Sequence, residues 1–192
     1  MPDGRTSGRK LCFAYVGRLV PEKGLTVLLE SARILRLEGR EFEVVLIGDG
    51  PQRSELEAII QRTAIGDCVR IRGFLRGAAL AEAVAKVDLV VMPSVWEETA
   101  GLSAIEQMKR GRPVIASKIG GLGEVVGEAS FTCRPGDAED LARCMREALD
   151  APANLAAIVL AARQRACGVF HRPRMIMEHA ELYTEIAQHP LK

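Results

Sequence analysis

Short apolar runs alternate with helical patterns along most of this chain of 192 residues, and that alternation restricts the fold more than any other feature. Strands that alternate with helices at this spacing form βαβ units and a parallel sheet. Right-handed crossovers then place helices on both faces of the sheet. The sequence therefore predicts a doubly wound, Rossmann-like α/β fold with six parallel strands, at 11–16, 42–47, 69–72, 89–92, 113–116 and 130–133.

The helical patterns between these runs have clear beginnings. Gly24 opens the first helix and Gly39 ends it, while Pro51 suits the first position of the second helix. Asp137 is expected to cap a later helix. Further helices are predicted at about 78–86, 153–166 and 174–188. We expect one Rossmann-like domain over residues 11–150, with residues 151–192 as its C-terminal helices and residues 1–10 as a disordered leader.

Composition excludes several classes of function. A net charge of +1 and 4% aromatic residues do not provide the basic surface or stacking platforms of a nucleic-acid-binding protein. No apolar run approaches the roughly 20 residues that a membrane helix needs, so no integral membrane segment is expected.

The cysteines favour a reducing environment. The chain has five, without a Cys-x-x-Cys pair; Cys12 falls in a strand pattern and Cys144 on the apolar face of a helix. Both suit buried, reduced thiols in a cytoplasmic protein. Cys167, His171 and His179 form an incomplete ligand set without zinc-site spacing, so no metal or other cofactor is expected.

Two carboxylates lie at the junction between the fourth strand and the next helix, in the motif Glu98-x7-Glu106. Glu98 is expected in the loop at the carboxyl edge of the sheet, where open α/β folds bind ligands. Glu106 is expected in the opening turns of the helix, whose free amides attract anions. This arrangement suits a ligand with both phosphates and hydroxyls, such as a sugar nucleotide.

A glycine turn after the first strand carries two cations. Arg18 and Lys23 lie between Gly17 and Gly24, where a guanidinium can bind a diphosphate with two hydrogen bonds and an ammonium adds a compact charge. The turn lacks the Gly-Lys-Ser/Thr of a Walker A loop and the Gly-x-Gly-x-x-Gly of dinucleotide sites. A solvated loop that happens to hold two cations is an equal alternative.

The other signals also have simpler explanations. Ser103-x-x-Glu106 fits a capping box, and Glu97 with Glu98 fits a charged loop. The stretch 120–123 is expected to be a simple turn rather than a ligand loop. Trp96 is expected to pack beside the site.

The order of the motifs is more specific than any one of them. Over residues 11 to about 187, the sequence resembles the C-terminal, donor-binding half of a GT-B glycosyltransferase of the large retaining family 4, the glycosyl transferases group 1. The matching segments are 16–19, 22–24, 47–51, 71–74, 88–94, 98–108, 111–116 and 120–126.

The resemblance implies a set of residue roles. Arg18 and Lys23 hold the donor diphosphate, Glu98 contacts the sugar hydroxyls, and these three are the expected catalytic residues. Glu106 binds the ribose hydroxyls, and the Phe74–Leu75 backbone forms the wall that receives the base. The remaining donor-binding residues are Gly17, Thr99, Ala100, Gly101 and Leu102. Enzymes of this fold need no bound divalent metal.

The sequence departs from the family at one motif. The family usually has Glu-Gly-Phe-Gly where this chain has Glu98-Thr99-Ala100-Gly101. Thr99 and Ala100 are small enough for the backbone to approach a phosphate closely. The missing aromatic residue changes the expected shape of the sugar pocket.

A complete enzyme of this family has two Rossmann-like domains, and this chain resembles only the second. We therefore expect the N-terminal acceptor domain to be missing and the isolated chain to bind donor without transferring sugar. The last helix usually packs on that first domain, so its apolar face, with Met175, Ile176, Tyr183 and Ile186, is expected to form a homodimer. Any membrane contact would be peripheral, through the acceptor or the missing domain.

The leading hypothesis is a hexosyltransferase that uses a nucleoside-diphosphate sugar, with UDP, GDP and ADP all open as the nucleotide. The alternative from another class is a non-catalytic sugar-nucleotide-binding or assembly subunit. A sugar-nucleotide epimerase lacks the Glu98-x7-Glu106 motif, and a dehydrogenase would need the missing glycine fingerprint.

Overall fold

The computed structural model describes residues 9–99 and 101–188. Six parallel strands form one sheet in the order β3-β2-β1-β4-β5-β6, which confirms the predicted fold class. The strands are β1 (Leu11–Val16), β2 (Phe42–Ile47), β3 (Val69–Gly73), β4 (Leu89–Met92), β5 (Val114–Ser117) and β6 (Phe131–Cys133). The helices are α1 (Leu25–Leu37), α2 (Arg53–Arg62), α3 (Gly77–Ala85), α4 (Leu102–Lys109), α5 (Gly120–Val126), α6 (Ala138–Asp150), α7 (Pro152–Val169) and α8 (Arg172–Gln188).

Alternation along the strands divides the core into two layers. In β1, Phe13 and Tyr15 face the layer that contains α1, α2 and α6. Cys12 and Ala14 face the layer that contains α4, α5 and α7. Because successive strand residues point to opposite faces, a continuous apolar run in β1 is what a sheet covered on both sides requires.

Most helix boundaries agree with the sequence pattern, and the exceptions have local causes. The amide of Asp140 donates to the Asp137 carboxylate at 2.9 Å, which confirms Asp137 as the cap of α6. Pro51 lies in the turn before α2 rather than inside it, because Gln52 is the N-cap. A short 3-10 turn, Pro21–Lys23, precedes α1 and was not predicted.

Cys12 and Cys144 are buried, as the sequence pattern predicted. All five cysteines are free, and Cys12, Cys68, Cys133 and Cys144 are buried. Burial raises the pKa of the Cys144 thiol to about 12, so this thiol stays protonated and unreactive.

The two ends of the described chain differ in their contacts. Residues 1–8 of the predicted leader lie outside the described range; within it, Arg9 forms an ion pair with Asp88 at 2.6 Å. At the other end, α8 has no buried residue among those described. Within residues 9–99 and 101–188, no helix is long and apolar enough to cross a bilayer.

Strand order creates one position in the sheet where ligand loops diverge. β1 pairs with β4, yet α1 after β1 packs on one face and α4 after β4 packs on the other. The loops that leave these two strands therefore separate and open a crevice at the carboxyl edge. Open α/β sheets bind ligands at such a topological switch point.

Candidate functional site

A cavity of about 470 Å³ opens at this switch point, between the loop after β1 and the loop after β4. It contains the three predicted catalytic residues, Arg18, Lys23 and Glu98, so folding brings together residues that are distant in sequence. Its full lining is Arg18, Val20, Glu22, Lys23, Trp96, Glu97 and Glu98.

An ion pair crosses the cavity. The Lys23 ammonium lies 2.7 Å from the Glu98 carboxylate, and both side chains are largely buried. The buried hydroxyl of Ser94 donates to the same carboxylate. Burial raises the pKa of Glu98, but the hydrogen bonds from Lys23 and Ser94 outweigh it, and the pKa lies below its usual value. Glu98 is therefore ionised at neutral pH.

Tyr15 positions the loop that carries Arg18, and the sequence analysis assigned it no role. Its hydroxyl donates to the Arg18 carbonyl at 2.7 Å, while its ring is buried in the core. A Cβ on Gly17 would lie 2.6 Å from this hydroxyl, so glycine leaves room for the contact. A tyrosine in a buried strand could have indicated this role, because a buried hydroxyl needs a partner.

Backbone contacts join the loops at the carboxyl edge. The amide of Leu19 donates to Asp49 O at 3.0 Å, and the amide of Val95 donates to Glu22 O at 3.0 Å. A Cβ at Gly48 would lie 1.7 Å from Gly17 O, so a side chain there would separate two of these loops. The cavity is thus bounded by loops that brace one another.

The prediction of a simple turn at residues 120–123 is wrong. These residues form the first turn of α5. The amide of Gly121 donates to Glu98 O at 2.8 Å, and a Cβ at Gly121 would lie 2.4 Å from Thr99 O. Gly120 and Gly121 therefore let α5 support the backbone of the Glu98 loop. This contact depends on tertiary packing, and the turn-like composition concealed it.

The capping box, which was the simpler explanation for Ser103 and Glu106, is also absent from the described residues. Helix α4 starts at Leu102, with Gly101 as its N-cap in the left-handed region (φ 50°), so Ser103 lies inside the helix. No side-chain cap bond forms there within the described part of the chain. Among the described residues, no side chain caps the first amides of α4, which suits an anion at that end.

The other predicted donor residues are not part of the cavity lining. Phe74 is exposed just after β3, with the Arg76 guanidinium 4.7 Å from its ring centre, and Leu75 is half-buried. Thr99, Leu102 and Glu106 are exposed on the Glu98 loop and α4. Ala100 lies outside the described residues.

A smaller cavity, of about 270 Å³, lies between α3 and the end of α4. It contains none of the predicted site residues, and Arg112 on its wall is occupied by a hydrogen bond to Val84 O at 2.9 Å. The larger cavity combines both signs of charge at the switch point and is therefore the candidate site. In residues 9–99 and 101–188, no three His, Cys, Asp or Glu side chains are grouped so that they could hold a metal.

Comparison with known proteins gives related sequences. The chain is 36% identical over 174 residues to the 2-deoxystreptamine glucosyltransferase of Streptomyces kanamyceticus, covering 88% of this chain and 45% of that protein. The chain thus spans less than half the length of this relative.

Solved structures with a similar fold are also glycosyltransferases or proteins that bind UDP. The crystal structure of Anabaena Alr3699/HepE in complex with UDP has a TM-score of 0.81 at 26% identity, covering 92% of this chain and 49% of that one. The same Anabaena protein has been solved with UDP-glucose. The C-terminal domain of the Francisella tularensis group 1 glycosyl transferase LpcC shares the fold, with a TM-score of 0.72 at 21% identity over 81% of this chain and 83% of that one.

The family model described as glycosyl transferases group 1 matches residues 2–165. This match covers all six strands and the whole lining of the larger cavity. Together with the Rossmann-like sheet of the GT-B structures, it confirms the resemblance inferred from the motifs: the chain belongs to the glycosyl transferases group 1 family.

Proposed function

We propose that this chain is the donor-binding half of a retaining glycosyltransferase that transfers a hexose-type sugar from a nucleoside-diphosphate sugar. One observation carries the proposal: two cations and an ionised carboxylate share one cavity at the switch point of the sheet. The cations suit a diphosphate and the carboxylate suits sugar hydroxyls. The family match and the UDP complexes of the Anabaena protein support the same assignment.

Arg18 and Lys23 act on the diphosphate. When the bond between the anomeric carbon and the diphosphate oxygen breaks, its electron pair stays on that oxygen and negative charge develops there. Cations fixed beside the oxygen stabilise this charge. In the free protein Lys23 is paired with Glu98, so donor binding redirects its ammonium from the carboxylate to the phosphate.

Glu98 acts on the sugar. Once Lys23 turns to the diphosphate, the carboxylate accepts hydrogen bonds from the sugar hydroxyls, while Ser94 continues to hold it in place. The acceptor hydroxyl oxygen forms the new bond to the anomeric carbon, and its proton passes to the departing diphosphate or to solvent. Glu98 therefore orients the sugar for that attack.

The surrounding residues complete the donor site. The amides of Gly101 and Leu102 at the start of α4 bind a phosphate, with Gly17, Thr99 and Ala100 leaving room for its approach. Glu106 on the same helix binds the ribose hydroxyls, and the backbone at Phe74 and Leu75 receives the base.

The relatives suggest a candidate donor and a candidate acceptor. UDP is the nucleotide in the Anabaena complexes, so UDP-glucose is the first donor to test. The Streptomyces kanamyceticus relative is named for an aminocyclitol acceptor, so an aminocyclitol is a candidate acceptor here. Most of the acceptor site is expected on the other half of such enzymes, which this chain does not span.

Calorimetric titration with UDP-glucose, and then with GDP- and ADP-sugars, tests the donor site. Arg18→Ala should weaken diphosphate binding by about 1.5–3 kcal/mol, because it removes a charge-assisted contact. Arg163→Ala, on the exposed side of α7, is the matched control and should leave the affinity unchanged. A folded chain that binds none of the three donors would exclude the proposal.

Comparison of UDP with UDP-glucose tests the role of Glu98. Glu98→Gln should weaken UDP-glucose more than UDP, because only the former presents sugar hydroxyls to this side chain. An equal loss of affinity for both ligands would show that Glu98 does not contact the sugar.

A further inference from the structure

Trp96 leaves 70% of its surface in contact with solvent at the edge of the larger cavity, so the expectation that it packs beside the site is wrong. It is the only tryptophan in the chain. A large aromatic ring exposed beside a cavity offers apolar area that a ligand can cover. The exposure of the Trp96 ring therefore indicates a role in ligand binding.

The loop that carries Trp96 is held on both sides. The amide of Val95 donates to Glu22 O at 3.0 Å, and the Glu98 side chain is held by Lys23 at 2.7 Å. Because the residues on either side of Trp96 are anchored, its backbone position is defined. The ring is presented to the cavity by a braced loop.

Two exposed carboxylates line the same cavity. Glu22 and Glu97 lie on its wall with Trp96, and neither forms an ion pair in the part of the chain that the structure describes. Arg18 and Lys23 lie on the same wall, and Lys23 is paired with Glu98 in the free protein. A bound diphosphate would neutralise both cations and leave the carboxylates as the uncompensated charges of the lining.

We propose that Trp96, Glu22 and Glu97 form an acceptor subsite for a polyhydroxylated ring that carries an ammonium group. The C–H face of the ring covers the indole, and the ammonium group binds the carboxylates and the aromatic face. The proposal rests on the proposed function, since the ring is an acceptor only if Glu98 holds a donor sugar beside it. It assigns the cavity wall next to Glu98 to acceptor selection.

Fluorescence of the 192-residue chain tests the subsite directly, because Trp96 is its only tryptophan. The chain is titrated with 2-deoxystreptamine, which has two amino groups, and with scyllo-inositol, a neutral ring of similar size. The amine should change the emission saturably and bind about tenfold more tightly than the inositol. Saturating UDP should raise the affinity for the amine about fivefold, because it neutralises Arg18 and Lys23.

Variants assign the binding to particular side chains by calorimetry. Glu97→Gln should weaken 2-deoxystreptamine about tenfold, since it removes a charged acceptor but keeps the shape of the side chain. Trp96→Ala should weaken it about fivefold, and Trp96→Phe should restore part of the loss. Glu128→Gln, an exposed carboxylate outside the cavity, should have no effect.

The outcomes separate this proposal from the proposed function. Failure of every nucleotide sugar to bind would refute the donor site, while the amine titration of the free chain would still decide the subsite. Equal affinity for the amine and the inositol would overturn the subsite. So would binding of the amine that is unchanged in both Glu97→Gln and Trp96→Ala.

Discussion

Glu98 is held by Lys23 and Ser94 in the free protein, and we expect this pairing to stabilise the fold. A carboxylate whose pKa is lowered on folding stabilises the native state while it is ionised. That contribution is complete above the pKa of the unfolded chain, about 4.3 for Glu, and is lost as the pH falls through the lower folded value. The contact between Lys23 and Glu98 should therefore contribute less to stability at acidic pH than at neutral pH.

Glu98→Gln should lower the free energy of unfolding by about 1.5–3 kcal/mol at pH 7, because it leaves the Lys23 ammonium without its charged partner. The difference from the wild type should shrink as the pH falls below about 4.3, because the carboxyl of the unfolded wild-type chain is protonated there while the folded one is protonated only at lower pH. Urea denaturation at several pH values measures it.

Glu128→Gln is the control for that experiment, since Glu128 is exposed on the turn after α5. Its effect should be small at every pH, as for most exposed surface substitutions. A loss in Glu98→Gln that stayed constant down to pH 3 would mean that the ion pair is not its source.

At the scale of elements, glycines set how closely the carboxyl-end loops approach one another. Gly24 joins the 3-10 turn that carries Lys23 to helix α1, with φ at 64°. A Cβ at this position would lie 2.0 Å from Pro93 O, on the loop that leads to Glu98. The two walls of the cavity therefore meet at a residue without a side chain.

Gly24→Ala should lower stability by about 2–5 kcal/mol, from a left-handed backbone strain and a clash with a backbone oxygen. Chemical denaturation measures the loss, and the affinity for UDP should fall with it because the walls move apart.

Gly39→Ala separates the two causes. Gly39 has φ at 75°, but a Cβ there meets nothing within 4 Å. It should cost only the backbone strain, about 1–2 kcal/mol, and leave UDP binding unchanged. Equal losses for the two variants would argue against close packing of the loops at Gly24.

At the scale of the whole molecule, helix α8 presents an apolar face without cover in the described residues. Met175, Ile176, Tyr183 and Ile186 are exposed there by 48–67%. Exposed apolar area of this kind favours association. We expect the face to bring two copies of this chain together.

The 192-residue chain should therefore show a concentration-dependent rise in mass by light scattering or sedimentation velocity. Ile176→Asp should shift the equilibrium toward the monomer, because burying an unpaired carboxylate is unfavourable. Glu181→Ala, on the same helix, is the control and should not weaken association. A strictly monomeric wild type at high concentration would contradict the expected pairing.

The spacing of apolar residues along the sequence was enough to predict most of the fold. The apolar run in β1 and the one-sided pattern of α1 depend on which residues leave water, and that information is local. The same locality explains the errors. Gly120 and Gly121 have the composition of a turn, and only their packing against the Glu98 loop places them in α5.

By itself, the sequence determined the α/β class, the family and the types of residue in the candidate site, because motifs and periodicity are properties of neighbouring positions. Tertiary structure decided which of these residues meet. Lys23 reaches Glu98 because β1 pairs with β4, and strand order depends on packing between elements far apart in the chain. Trp96 faces the cavity for the same reason: exposure depends on what the rest of the fold leaves uncovered.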